Sequence, residues 1–159
     1  TENIVHYASA HNKTVCIALR SNTVSEREFY YEQFNGNCVF QQHDRLAFSS
    51  YSAAADSNLI IALNSTLASE TFGMGMKVLF VNPFDEQWLK PTDNSGIWYL
   101  SESDYDSFSA RTGQLLNMSQ DEYLANAGSE MKDVMSYKYN RPAHLVIRER
   151  ILKVISNTG

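Results

Sequence analysis

The sequence predicts an α/β fold: a Rossmann-like three-layer sandwich, with a mostly parallel sheet of about five strands and helices on both faces. Two observations carry this prediction. Short apolar runs of strand length alternate along the chain with stretches that carry helix start and stop signals. The apolar runs are also continuous, with no alternating polar residues, which is typical of strands buried on both faces of a parallel sheet.

Length and composition indicate a single globular domain. The chain has 159 residues, of which 43% are hydrophobic, and a net charge of −5. The negative charge argues against nucleic acid as a partner, because such binding depends on neutralising phosphates. No apolar run approaches the roughly 20 residues of a transmembrane segment, and no signal peptide is recognisable. The chain starts at Thr1 without a methionine, so we expect it to be a piece excised from a larger protein. We expect a cytoplasmic location, with any membrane attachment made through the rest of that protein.

The first part of the chain is predicted to contain two strands, at residues 15–19 and 38–41, after a helix over residues 3–11. Ser25 and Glu28 have the spacing of a capping box, which predicts a helix that runs from this serine to residue 34. Aromatic residues are expected to form its buried face: Phe29, Tyr30 and Phe34. Cys16 and Cys38 each lie inside a predicted strand and are expected to be reduced core thiols, since two cysteines at this spacing do not form a zinc site.

The centre of the chain is predicted to form one βαβ unit, preceded by a small helix over residues 49–57. The unit consists of a strand, a polar turn, a short helix and a second strand, over residues 59–63, 64–66, 67–72 and 77–81. Its turn places Ser65 and Thr66, with the free N–H groups of a helix start, at the carboxyl end of a strand. Open α/β sheets bind ligands at that edge, and a helix N-terminus favours anions.

The remaining third is predicted to be a loop to residue 95, a last short strand over 96–100 and three helices. The helices are expected at residues 105–116, from the capping box of Ser119 and Glu122 through about residue 127, and at 143–156. The helix that starts at Ser119 is expected to end at about residue 127 or to continue to residue 135.

Ser65, Thr66 and Glu70 are the first candidate site residues. A phosphate can accept hydrogen bonds from the helix start and from both hydroxyls. A carboxylate one turn later on the same side of the helix can accept the hydroxyls of a ribose or another sugar. The alternative is an ordinary helix cap followed by an exposed glutamate.

The loops after the first two strands supply further candidates at the same edge of the sheet. A guanidinium at Arg20 can bind a diphosphate bidentately and stabilise a departing phosphate, with help from Ser21. After the second strand, Gln41, His43 and Asp44 can surround a base, and His43 can stack on it. Ser49, Ser50 and Tyr51 can reach the base or the ribose. The alternative for each of them is an exposed side chain in a solvated loop.

The stretch from Asp56 to Phe80 resembles the donor-binding, C-terminal half of glycosyltransferases that have two facing Rossmann-like domains, the GT-B architecture. The resemblance is carried by an aspartate, an apolar strand, Ser65-Thr66, Glu70, a glycine and a second apolar strand. It implies that Ser65, Thr66 and Glu70 contact the phosphate and ribose of a nucleotide sugar. It also implies that Arg20 acts on the leaving group, and that an absent N-terminal domain holds the acceptor. Many members carry a second glutamate across this helix; here Glu70 stands alone, so we interpret it as a donor-binding residue.

Two other functions stay open at this point. A sugar-nucleotide epimerase half has the same layout and would release a free or isomerised sugar. A non-catalytic flavodoxin-like interaction domain would use Ser65 and Thr66 only to cap a helix. No cofactor is expected, since neither GxGxxG nor GxxxxGK[ST] occurs. No metal site is expected either, because the other histidines lack suitable partners.

Overall fold

The structure, a computed structural model, describes residues 1–44, 46–135, 145–149, 151 and 153. Its strands are β1 (Val15–Ala18), β2 (Cys38–Gln41), β3 (Ile60–Ala62), β4 (Val78–Val81) and β5 (Tyr99–Leu100). Its helices are α1 (Glu2–Ala10), α2 (Val24–Gln33), α3 (Ser49–Ala55), α4 (Thr66–Gly73), α5 (Tyr105–Asn117) and α6 (Gln120–Val134), with a 3-10 turn over Gln87–Leu89.

The predicted α/β class is confirmed, and every strand pair in the described residues is parallel. The strands form two small sheets, β1-β2 and β3-β4-β5, where the sequence predicted one sheet of about five strands. Within the part of the chain that the structure describes, β1 pairs only with β2, and β3 only with β4. Helix α3 contacts β1 and β2 as well as α4, and so connects the two sheets.

The main core lies on the three-stranded side. β4 is buried at Val78, Leu79 and Phe80, as a continuous apolar run predicts. Three elements cover this strand with fully buried side chains: Phe72 of α4, Leu115 of α5 and Tyr123 of α6. From the amino-terminal segment, Tyr7 of α1 reaches the same cluster. The βαβ unit around Ser65 is therefore built on this buried cluster.

The two-stranded sheet is less buried than predicted. Exposure alternates along β1, so only one of its faces is covered. Cys16 is exposed and Cys38 is half buried, so the prediction of two core thiols is wrong, although both thiols are free. The physical reason is that α2 buries none of its own residues. Phe29 is 54% exposed, and of the predicted aromatic face only Phe34, just beyond the helix, is buried.

Two boundaries differ from the sequence prediction for identifiable reasons. The capping box of Ser25 and Glu28 does not form, because Thr23 is the N-cap of α2 and accepts from the amide of Glu26. β5 has only two residues, Tyr99 and Leu100, and the carbonyls of Gly96 and Ile97 just before it accept hydrogen bonds from the Arg111 guanidinium at 3.1 Å each.

Other predicted elements are confirmed within a residue or two. Ser119 and Glu122 form the predicted capping box, and α6 continues to Val134. Of the predicted last helix, residues 145–149 are helical, while most of the remaining span lies outside the described residues. Among the described helices, none combines the length and hydrophobicity that a membrane crossing requires.

Candidate functional site

A helix starts at the turn that follows β3, as the sequence predicts. Ser65 is the N-cap of α4, and its hydroxyl makes no capping hydrogen bond. The amide of Ser69 donates to the Ser65 carbonyl at 3.1 Å, so the amides of residues 66–68 precede the regular helical bonds. Ser65 is half buried and Thr66 is exposed. This turn therefore presents a hydroxyl and a set of backbone donors that the helix itself does not use.

Glu70 lies one turn further along α4 and is held by a neighbouring helix. The hydroxyl of Tyr51, in α3, donates a hydrogen bond to Oε2 of Glu70. This bond, together with burial of the phenol, raises the pKa of Tyr51 above its ordinary value of 10.0. Both side chains are half buried. The structure thus brings together two predicted site residues, and the second carboxylate oxygen of Glu70 has no hydrogen bond within the described part of the chain.

The loop after β1 forms a compact set of donors around Glu26. The amides of Arg20 and Ser21 donate to the two Glu26 oxygens at 2.8 and 2.9 Å, and the Ser21 hydroxyl donates at 2.8 Å. The pKa of Glu26 lies below its ordinary value of 4.5, chiefly because of the Arg20 amide; the bonds from Ser21 and the Arg20 charge act in the same direction. A phosphate bound by these amides would have to displace this carboxylate.

A side chain that sequence reasoning did not emphasise joins the loops after β1 and β2. Asn22 has a left-handed backbone, with φ of 57°, a conformation that asparagine tolerates better than most residues. Its amide group donates to the His43 carbonyl at 2.7 Å and accepts from the His43 amide. His43 itself is half buried. The two loops are thereby fixed to one another at the edge of the sheet where the base was predicted to bind.

The turn that leads from His43 into α3 is held by Asp44 and Ser49. The Asp44 carboxylate accepts from the amides of Leu46 and Ala47 at 2.9 and 3.1 Å. The Ser49 hydroxyl accepts from the Asp44 amide at 2.8 Å, and Ser49 is buried. Asp44 and Ser49 therefore have structural partners of their own. Gln41 and Ser50 are half buried, and Ser50 directly precedes Tyr51 in α3.

These contacts form one continuous series from β1 to α4. Asn22 binds the backbone of His43, Asp44 binds Ser49, and Tyr51 binds Glu70. Sequence reasoning had named most of these positions, but it did not name Glu26, which accepts hydrogen bonds from the loop after β1. The signal was available, because Thr23 and Glu26 have the same spacing as the Ser25–Glu28 pair. The predicted roles of these residues in ligand binding stay predictions.

The fold and this edge define an α/β protein with a cluster of hydrogen-bonded polar side chains at the carboxyl ends of parallel strands. Residues 2–147 match a family described as "putative O-antigen biosynthesis protein". Because the match spans most of the chain, the protein belongs to this O-antigen biosynthesis family. This membership connects it to the assembly of glycans. No curated protein and no solved structure matches the chain significantly.

Proposed function

We propose that the chain is the donor-binding domain of a glycosyltransferase and that it takes a nucleotide sugar at the edge formed by α4 and the loops after β1 and β2. The observation that carries this proposal is the pairing of two groups on α4. Ser65 has an N-cap hydroxyl that makes no capping bond, and Glu70 has a carboxylate oriented by Tyr51. A diphosphate suits the first group and ribose hydroxyls suit the second. The O-antigen family description supports a sugar substrate.

In this proposal the domain acts by positioning the donor and by stabilising the departing diphosphate. Arg20 is exposed at the carboxyl end of β1, and its positive charge contributes to the lowered pKa of Glu26. A guanidinium there would neutralise charge that builds up on the leaving group. The acceptor would be held by a second domain, as the GT-B resemblance implies. We therefore expect this chain to bind nucleotide sugars without transferring the sugar by itself.

A rival function has one observation in its favour. The amides of Arg20 and Ser21 are already bonded to Glu26, so part of the predicted phosphate site is satisfied without a ligand. This would suit an interaction domain in which these loops are purely structural. In that case Ser65 would be an ordinary helix-start residue, and substitutions there would change no ligand affinity.

Two serines make a matched pair that separates these functions. Ser119 caps α6, since its hydroxyl accepts from the Glu122 amide at 3.2 Å, whereas the Ser65 hydroxyl caps nothing. Ser119→Ala should lower the free energy of unfolding by about 1 kcal/mol and leave nucleotide binding unchanged. Ser65→Ala should cost less stability but weaken binding about tenfold to a hundredfold, the effect of one lost hydrogen bond to a charged group.

Isothermal titration of both variants and the wild-type chain with UDP-, GDP- and CMP-sugars provides the measurement, and urea unfolding provides the stabilities. Equal affinities for the wild type and the Ser65 variant would favour the interaction domain. Absence of binding to any nucleotide sugar would contradict the donor-binding proposal itself.

A further inference from the structure

Strand β1 has one edge without a ladder partner among the described residues. In a parallel pair, the backbone groups of alternate residues point to opposite sides of the strand. The Leu19 amide donates to the Gln41 carbonyl of β2 at 3.0 Å, so the N–H and C=O groups of Cys16 and Ala18 point away from β2. These groups make no hydrogen bond within the part of the chain that the structure describes. They are therefore free to pair with another strand.

Strand β3 has an open edge of the same kind. The Ile60 amide donates to the Lys77 carbonyl, just before β4, at 3.0 Å. The backbone groups of Leu59 and Ile61 consequently point away from β4. All three residues of β3 are half buried, although a continuous apolar run is typical of a strand that is covered on both faces. β3 thus has unpaired backbone groups and apolar side chains that are only partly covered.

The two open edges border one cavity of about 520 Å³, which is lined by Cys16 of β1 and by Ile61 of β3. Residues 13–14 and 56–58, which lead into the two strands, line the same cavity, so the amino ends of β1 and β3 lie together. The carboxyl ends are connected by the series of hydrogen bonds that runs from the loop after β1 to α4. β1 and β3 therefore run side by side in the same direction.

Pairing β1 with β3 would join the two sheets into one parallel sheet with the order β2-β1-β3-β4-β5. Such a sheet would satisfy the backbone groups of both open edges and remove apolar walls of the cavity from water. In open α/β sheets of this order, ligands bind at the carboxyl ends of the strands between β1 and β3, where the strand order reverses. The gap between the two sheets thus lies at the place where a ligand is expected.

The candidate donor site is divided between the two sheets. Arg20 and Ser21 follow β1, whereas Ser65 and Glu70 follow β3. A ligand that contacts both sets of residues binds more tightly to an arrangement in which the sheets are joined. It therefore shifts the molecule towards that arrangement, by as much as its affinities for the two arrangements differ.

We propose that binding of the nucleotide sugar closes the gap between β1 and β3 and pairs these strands in one sheet. This inference rests on the proposed function, because the bound donor supplies the contacts that hold the two halves of the site together. In the ligand-free protein, the N–H and C=O groups of the open edges bond to water instead. Closure brings the loop after β1 towards the start of α4.

Amide hydrogen exchange of the isotopically labelled chain, measured by NMR, tests this inference. The amides of Ala18 and Ile61 lie on the open edges, whereas those of Leu19 and Ile60 are already bonded within their own sheets. A saturating nucleotide sugar should slow exchange at Ala18 and Ile61 at least tenfold more than at Leu19 and Ile60. Nuclear Overhauser contacts between the backbones of β1 and β3 should appear in the bound state alone.

A second test uses proline, which has no N–H to donate. Ala18→Pro should leave the ligand-free fold intact, because an edge strand accepts proline where the missing N–H faces solvent. It should weaken nucleotide-sugar binding about threefold to tenfold, since the closed sheet loses one hydrogen bond. Ala18→Val is the matched control, because it keeps the amide, and it should bind like the wild type. Urea unfolding verifies that both variants fold.

The possible results separate this inference from the donor-binding proposal. If calorimetry detects a nucleotide sugar that binds while Ala18 and Ile61 stay unprotected, closure is overturned and the donor site stands. Protection of these amides before any ligand is added also overturns closure, because the strands would then be paired at rest. Equal affinities of Ala18→Pro and Ala18→Val would overturn it as well. If no nucleotide sugar binds, closure fails together with the proposed function.

Discussion

The Tyr51 hydroxyl donates a hydrogen bond to Glu70, so that α3 and α4 are joined at the edge of the candidate site. The two residues are 19 positions apart in sequence and belong to the helices that precede and follow β3 in the chain. The bond fixes one oxygen of the carboxylate and its orientation. We interpret Tyr51 as a positioning residue, whose effect on a ligand is exerted through Glu70.

The first prediction concerns this pair. Glu70→Gln should weaken nucleotide-sugar binding by about tenfold or more, because a hydrogen bond between a ribose hydroxyl and a carboxylate is stronger than one between neutral groups. Tyr51→Phe should weaken it by only about threefold, since the carboxylate stays in place but loses its orientation. Titration calorimetry compares both with Glu32→Gln, at an exposed position in the last turn of α2. A larger loss for Tyr51→Phe than for Glu70→Gln would contradict the assignment.

The second prediction concerns the carboxylate that occupies the loop after β1. Glu26→Gln removes a negative charge that would repel a diphosphate beside Arg20. Affinity for the nucleotide sugar should rise about twofold to fivefold at low salt and by less at high salt, because salt screens charges near the surface. Glu28→Gln is the control, since Glu28 is exposed on the same helix.

A fall in affinity for Glu26→Gln would mean that Glu26 holds the loop in the binding conformation. The loop would then contact the ligand through other atoms than the amides of Arg20 and Ser21.

The third prediction concerns pH. The pKa of Glu122 lies below its ordinary value of 4.5, chiefly because the Ser119 amide donates a hydrogen bond to its carboxylate at 2.9 Å. A lowered folded-state pKa contributes stability at higher pH, and this contribution is lost as the pH falls below that ordinary value. Thermal unfolding between pH 7 and pH 3 should therefore show the wild type losing more stability than Glu122→Gln. Parallel curves for the two proteins would contradict this expectation.

The fourth prediction concerns the core. The Tyr123 hydroxyl accepts from the Val78 amide at 3.0 Å and donates to the Val78 carbonyl at 3.2 Å, in a fully buried position. Burial raises the pKa of this phenol. Tyr123→Phe leaves both backbone groups of a buried strand without the side-chain partner, so it should cost about 1–3 kcal/mol of unfolding free energy. Urea unfolding measures this cost, and nucleotide binding should be retained below the transition.

The sequence predicted well those elements whose local signals agree with their tertiary surroundings. β4 is a continuous apolar run with helices around it, and Ser119 with Glu122 is a capping box next to an apolar helix face. The N-cap position of Ser65 was also predictable, because turn residues separate a strand from a helix there.

Other features depend on partners that sequence spacing does not reveal. Continuous apolar runs suggested full burial for β1 and β2, but burial also needs covering helices, and α2 does not pack closely enough. The bond from Tyr51 to Glu70 and that from Asn22 to His43 depend on how separate loops meet. Two capping patterns overlap at the start of α2, Thr23 with Glu26 and Ser25 with Glu28, and the structure uses Thr23 as the N-cap.

The separation of the sheets has a consequence for how the molecule opens. Apart from Tyr7, the fully connected core is made by residues beyond α3, so β1, α2 and β2 contribute little to it. We expect native-state hydrogen exchange to resolve two cooperative units, with the amides of β1 and β2 exchanging through a partial opening of lower free energy than that of β4. Since α1 packs against α5, the amino-terminal helix should exchange with the carboxyl-terminal unit, to which it belongs in space but not in sequence. The candidate donor site would then lie at the boundary between the two units, and nucleotide binding should slow exchange in the weaker one.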